Sequence, residues 1–261
     1  MGFPAKLIVV SGPPRSGTTL ANRILCTSPG CAPFLPECSF ITKQIEQYAN
    51  ILLYSDKERF SNYFGTLDAC QSCFKACINA HLNALLLARP QVAGHEYVVL
   101  KDPMLVYYLA QAQELLSAGT RFVLTVRNPL AVIASMKQVE SRKGAEWNIE
   151  TKVNDIFNFY FHLHRVREEG LLASACYVKY EDLVLGNWEP LEAYLGFTVS
   201  DALMLSKHQR ILDKQDPFYT PLYEKQVSGE RVDAWQSELS DAEISHVRGV
   251  FSGVMAYWGY L

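Results

Sequence analysis

The chain has 261 residues, 49% of them hydrophobic and 20% charged, with a formal net charge of −3. That length and apolar content suit one large α/β domain or two small ones, and the near-neutral balance gives no reason to expect nucleic acid or an anionic membrane as partner. Seven cysteines, an odd number, do not suggest a disulfide framework, so a reducing, cytoplasmic setting is expected.

The first apolar run, Leu7 to Val10, is too short for the core of a secretion signal and passes directly into a glycine-rich loop. Lys6 to Ser11 therefore reads as a strand. Tyr97 to Lys101, Arg121 to Val126 and Ala175 to Tyr180 are similarly rich in β-branched, aromatic and aliphatic residues. Their near-continuous hydrophobicity predicts a parallel sheet covered on both faces. Helical periods occupy Thr18 to Leu25, Phe40 to Tyr54, Leu67 to Ala88, Met104 to Leu116, Ala131 to Gln138, Val153 to Glu169 and Leu191 to Leu195. The alternation predicts an α/β domain, a central parallel β-sheet flanked by helices on both faces. Glu140 to Glu150 and Leu212 to Val232 read as connections. No apolar stretch is long enough to span a bilayer.

Cys70, Cys73 and Cys77 recur at helical intervals with Leu67, Phe74, Ile78, Leu82 and Leu85, so they read as a buried helix face rather than a metal site. His162 and His164 fall on different sides of a helix and make no ligand pair. No metal is expected.

Strand one runs into Ser11-Gly12-Pro13-Pro14-Arg15-Ser16-Gly17-Thr18-Thr19, and a helix follows. This P-loop-like order suits an anion: Gly12 and Gly17 admit close backbone approach, the helix N-terminus presents N–H groups, and Ser16, Thr18 and Thr19 add hydroxyls. The nucleoside-triphosphate loop places lysine directly after its second glycine, and Thr18 stands there instead. Arg15 supplies positive charge from within the loop. A kinase using ATP and magnesium remains the alternative, and a nucleotide-binding protein without catalysis is a third.

The segment Pro14-Arg15-Ser16-Gly17-Thr18-Thr19 resembles the 5′-phosphosulfate loop of sulfotransferases dependent on 3′-phosphoadenosine 5′-phosphosulfate (PAPS), particularly the tyrosylprotein and heparan-type branches. Val126-Arg127-Asn128-Pro129 with Ser135 resembles their 3′-phosphate site, Lys101-Asp102-Pro103 their lysine segment, and Tyr180-Glu181-Asp182-Leu183 a later strand end whose tyrosine lies near the adenine. Gly229 to Trp235 is similar to the segment that closes over the nucleotide.

The resemblance implies in-line transfer of a sulfuryl group to a hydroxyl or amine, with adenosine 3′,5′-bisphosphate as product. Arg15 and Lys101 would stabilise the developing charge, and Glu37 would serve as general base, because Pro103 stands where the cytosolic branch carries its histidine. Asp102 and His95 are the reserves; Asp102 reads better as the cap of a helix that Pro103 opens. The resemblance spans residues 7 to about 235, within a single sulfotransferase domain covering 1–261. Residues from about 40 to 95 match nothing and are expected to form a helical insertion shaping the site for a small-molecule, glycan, lipid-linked or peptide acceptor. Oligomeric state is not legible.

Overall fold

The structure is a computed structural model that describes residues 3–54, 57–200 and 227–261. Four strands, β1 (Lys6–Ser11), β2 (Tyr97–Lys101), β3 (Arg121–Val126) and β4 (Ala175–Lys179), form one parallel sheet in the order β2-β1-β3-β4. The chain leaves β1 for β2 on one side and returns to β3 on the other. The C-terminal ends of β1 and β3 therefore flank a topological switch point, where open α/β sheets bind ligands. The register aligns these ends: Val10 pairs with Lys101, Ser11 with Leu124, and Val126 with Lys179. Lys101, the glycine loop, Arg127 and Tyr180 consequently leave the sheet along one edge.

Alternation along the strands divides the core. Leu7, Val9, Val98, Leu100, Phe122 and Leu124 face one helical layer, while Ile8, Val10, Val99, Val123 and Val178 face the other. Each such side chain, buried on folding, contributes about 1.5–3 kcal/mol. The second layer contains α1 (Thr18–Leu25) and, after β4, α8 (Tyr180–Leu185) and α9 (Glu189–Leu195). The first holds α2 (Ser39–Tyr54), α4 (Leu67–Ala88), α5 (Leu109–Leu115), α6 (Pro129–Lys143), α7 (Ile149–Glu168) and the C-terminal helix. A short α3 (Lys57–Phe64) joins α2 to α4, and α10 (Trp235–Glu238) precedes α11 (Asp241–Trp258). None of the described helices is long and apolar enough to cross a membrane.

Several sequence expectations are corrected. The strand expected to end at Tyr180 ends at Lys179, and Tyr180 opens α8. The run Met104 to Leu116 divides into a 3-10 helix (Pro103–Tyr108) and α5, the break falling at Tyr108, whose backbone (φ −130°) departs from helical values. Helix α6 continues beyond Gln138 to Lys143. Its polar last turn is stabilised because Glu140 is buried between Lys143 and Lys152, each 3.4 Å away, and Gly144 ends the helix at positive φ.

The cysteine face is buried only in part. Cys70, Ile78 and Leu82 face the core, whereas Cys73 and Cys77 lie beside that row and are exposed. Most of the connection Leu212 to Val232 lies outside the described residues.

Candidate active site

Gly12 and Gly17 are required by what touches them. A Cβ on Gly12 would sit 2.4 Å from the Thr125 carbonyl oxygen, and one on Gly17 2.8 Å from Tyr180 Cδ2; both residues have positive φ. Their absent side chains let the loop lie between β3 and the Tyr180 ring. Ser16 is fully buried, its Oγ 2.6 Å from the Pro13 carbonyl oxygen and 2.6 Å from Thr125 Oγ1. That hydroxyl braces the loop from within instead of facing outward with Thr19. Gly17 caps α1 with no side-chain bond, and among the described residues no acceptor takes the N–H groups of Gly17, Thr18 or Thr19. These donors at the positive end of a helix form an anion site.

On one side of the loop stands Lys101, the last residue of β2. Its side chain is 5% exposed, and Nζ lies 2.6 Å from Glu37 Oε1 and 3.2 Å from Thr19 Oγ1. Glu37 is 49% exposed, so the pair joins a buried cation to a carboxylate open to solvent. The segment carrying Glu37 runs beside β2: Ala32 N–H donates to the Tyr97 carbonyl and Cys38 N–H to that of Lys101. These backbone bonds place Glu37 where sequence spacing alone could not.

Asp102 caps the 3-10 helix, accepting from Met104 N–H at 2.9 Å. Burial raises its carboxyl pKa, opposed by hydrogen bonds from Thr42 and Met104. His95 precedes β2 at the opposite end of the sheet, outside the site.

On the other side of the loop is Arg127, directly after β3 and only 5% exposed. Its guanidinium lies 3.9 Å above the centre of the Tyr180 ring. Nη1 donates to the Arg15 carbonyl at 3.0 Å and Nη2 to the Arg231 carbonyl at 2.5 Å. Nε is buried without a partner, and no carboxylate of the described residues is within ion-pairing distance of Arg127. Burial lowers the Arg127 pKa, opposed by Tyr180 and the Glu181 charge, yet a guanidinium stays protonated in any protein setting. A buried cation with an orphaned donor and, among the described residues, no counter-ion is suited to receive an anion. Ser135 accepts from Arg15 Nε at 3.0 Å, so Arg127 and Ser135 meet through Arg15.

Other parts of the site carried no sequence signal. Thr125 clasps Gly12 and Ser16 from β3, and the Tyr160 hydroxyl donates to the Arg127 carbonyl from α7. The segment from Gly229 to Trp235 does reach the site: the Arg231 carbonyl meets Arg127, while the Arg231 side chain forms two bonds to Glu238, at 2.5 and 2.8 Å. Among the described residues no group of three or more His, Cys, Asp or Glu is arranged to hold a metal ion.

A parallel sheet carries a loop of free backbone N–H groups at its switch point, flanked by a buried arginine and a lysine–glutamate pair, an arrangement suited to transfer of an anionic group. The profile of the sulfotransferase family matches residues 7–198, and the chain belongs to that family. Its activity is sulfuryl transfer.

Solved structures share the fold. The sulfotransferase domain from the curacin biosynthetic pathway is 17% identical, with a TM-score of 0.57, over 97% of this chain and 99% of that one. The sulfotransferase domain of the Synechococcus PCC 7002 olefin synthase is 18% identical, with a TM-score of 0.55, over 95% and 94%. Sulfotransferase STF9 from Mycobacterium avium is 14% identical, with a TM-score of 0.53, over 98% and 77%. No curated protein sequence matches.

Proposed function

We propose that this sulfotransferase uses PAPS as donor and transfers its sulfuryl group in line to a hydroxyl or amine. The observation that carries this reading is Arg127: a buried guanidinium with no carboxylate partner among the described residues, one loop away from a second anion site. The donor has two anionic ends, a 3′-phosphate and a 5′-phosphosulfate, and the residues present fit both. Arg127 and Ser135 would hold the first; Pro14, Arg15, Ser16, Gly17, Thr18 and Thr19 would enclose the second, through backbone N–H groups above all. Tyr180 would border the nucleotide while supporting Arg127.

When bound, the donor supplies an activated sulfuryl group whose leaving group is adenosine 3′,5′-bisphosphate. Glu37 would accept the acceptor's proton at a carboxylate oxygen as the acceptor oxygen or nitrogen bonds to sulfur and the bond from sulfur to the phosphate oxygen breaks. Lys101 and Arg15 meet the negative charge that grows on the bridging oxygen and the sulfuryl oxygens. Transfer of this kind needs alignment and fixed charge more than covalent participation of the protein. The acceptor is a small molecule, glycan, lipid-linked alcohol or peptide, and residues 40 to 95, inside the single domain of 1–261, shape its site. The threonine after Gly17 leaves an ATP-dependent kinase without its phosphate lysine.

The test is transfer of label from sulfur-labelled PAPS to a panel of phenols, glycans and tyrosine peptides, with Glu37→Gln as control. Labelled product from the native chain, lost in the variant, is expected. Phosphoryl transfer from ATP and magnesium in place of sulfuryl transfer would refute the reading.

A further inference from the structure

Glu181 and Tyr260 lie outside the expected anion contacts, yet both are tied to the peptide that carries Arg127. Glu181 Oε1 accepts from the N–H of Asn128, the residue after Arg127, at 3.2 Å. Its other oxygen accepts from the Tyr260 hydroxyl at 2.9 Å. The Arg127 carbonyl is taken by the Tyr160 hydroxyl, so the peptide linking Arg127 to Asn128 is held at both its oxygen and its N–H.

Tyr260 arrives there because Gly259 ends α11 in left-handed conformation. Gly259 N–H donates to the Ala256 carbonyl and Tyr260 N–H to that of Met255, a Schellman turn that folds the chain back toward β4. The ring then lies 4.9 Å from Lys179 Nζ. Burial and the Glu181 charge raise the Tyr260 phenol pKa, which keeps its hydroxyl a donor.

From this network we infer that Glu181 and Tyr260 are positioning residues for Arg127, setting the guanidinium over Tyr180 for the 3′-phosphate of the donor. The inference rests on the donor reading above. Glu181 lends the arginine a carboxylate's influence at a distance, while its two oxygens are directed to the Asn128 N–H and the Tyr260 hydroxyl and not to the guanidinium. A carboxylate in direct contact would compete with the phosphate; one held a peptide away orients the cation without blocking it. Networks of this kind are sensitive to loss of a single member.

The experiment is calorimetric titration of the full chain with adenosine 3′,5′-bisphosphate and with adenosine 5′-monophosphate, which lacks the 3′-phosphate. Native protein, Glu181→Ala, Glu181→Gln and Tyr260→Phe are compared, with Arg127→Ala as reference. In Glu181→Ala the bisphosphate should bind about tenfold more weakly and the monophosphate within about twofold of native. Glu181→Gln, whose amide oxygen still accepts from Asn128, should recover most of the loss. Tyr260→Phe, which removes one hydroxyl and keeps the ring packed, should weaken the bisphosphate about threefold. Unchanged bisphosphate affinity in both Glu181→Ala and Tyr260→Phe, or equal weakening of both nucleotides, overturns the inference. If native protein binds the two nucleotides alike and Arg127→Ala changes neither, the donor reading itself fails, and the inference with it.

Discussion

Lys101 Nζ lies 2.6 Å from Glu37 Oε1, although 64 residues separate them in sequence. The cation is buried at a strand end, and the carboxylate is held beside it by a backbone bond from Cys38 to Lys101. With no donor present each neutralises the other. In the proposed mechanism Lys101 would turn to the sulfuryl group and Glu37 to the acceptor's proton. Glu37→Gln should lower kcat about 100- to 10,000-fold and leave affinity for adenosine 3′,5′-bisphosphate within about twofold. Lys101→Met should lower kcat about 100- to 1,000-fold, and the double variant should be little worse than the poorer single one, because the two act as a unit. Steady-state kinetics and nucleotide titration separate these effects.

The loop glycines give a second prediction. Gly17→Ala meets Tyr180 Cδ2 at 2.8 Å and adopts positive φ, so the Tyr180 ring must move from beneath Arg127. Nucleotide affinity should fall at least about tenfold, with a smaller loss of thermal stability. Gly12→Ala meets the Thr125 backbone at 2.4 Å, which a side-chain shift does not relieve. Its melting temperature should therefore drop more than that of Gly17→Ala.

Acid stability depends on the N-terminus of α11. Burial alone would raise the pKa of Glu243, but hydrogen bonds from Lys137, the Ser240 N–H and Trp147 outweigh it and hold the carboxyl down at about 2. A depressed carboxylate stabilises the fold above its unfolded value, ordinarily about 4.3, and that contribution is lost as pH falls toward 2. Its full value is of the order of 2–3 kcal/mol. Glu243→Gln should lower the melting temperature at pH 7 and flatten its decline between about pH 4.5 and 2 relative to native protein. Parallel pH profiles for the two proteins would contradict the assignment.

Thiol chemistry should single out α4. Cys73 and Cys77 are exposed, while Cys26, Cys31 and Cys70 are buried. Burial pushes Cys38 up to about 12 and Cys176 up to about 11, and also raises Cys77. Iodoacetamide near pH 8 should therefore label Cys73 first and leave Cys38 unmodified on the same timescale, as read by peptide mass spectrometry. Early labelling of Cys38 would show that the Glu37 segment is not held against β2.

The sheet was legible because its strands are continuous apolar runs, and three of the four match residue for residue. The site's linear motifs were legible too: the loop, Lys101 with Asp102, and Arg127 with Pro129 all sit where a strand ends, a position that sequence fixes locally. Long-range pairings were not. Nothing in sequence shows that Ser16 turns its hydroxyl inward to Thr125, that Ser135 meets Arg15, or that Glu181 reaches both Asn128 and Tyr260. Glu181 carried no signal of its own, since an acidic residue in the first turn of a helix needs no further partner. Cys73 and Cys77 misled because a helical period reports neighbours on a face and not which side of that face meets the core.

Binding of adenosine 3′,5′-bisphosphate to the native chain and to Arg127→Ala, set beside ATP with magnesium, tests the central claim most directly. Tight bisphosphate binding by the native chain, a loss of at least about tenfold in the variant, and weak binding of ATP with magnesium are predicted. Binding of ATP with magnesium in preference to the bisphosphate, or bisphosphate binding indifferent to Arg127, would contradict it.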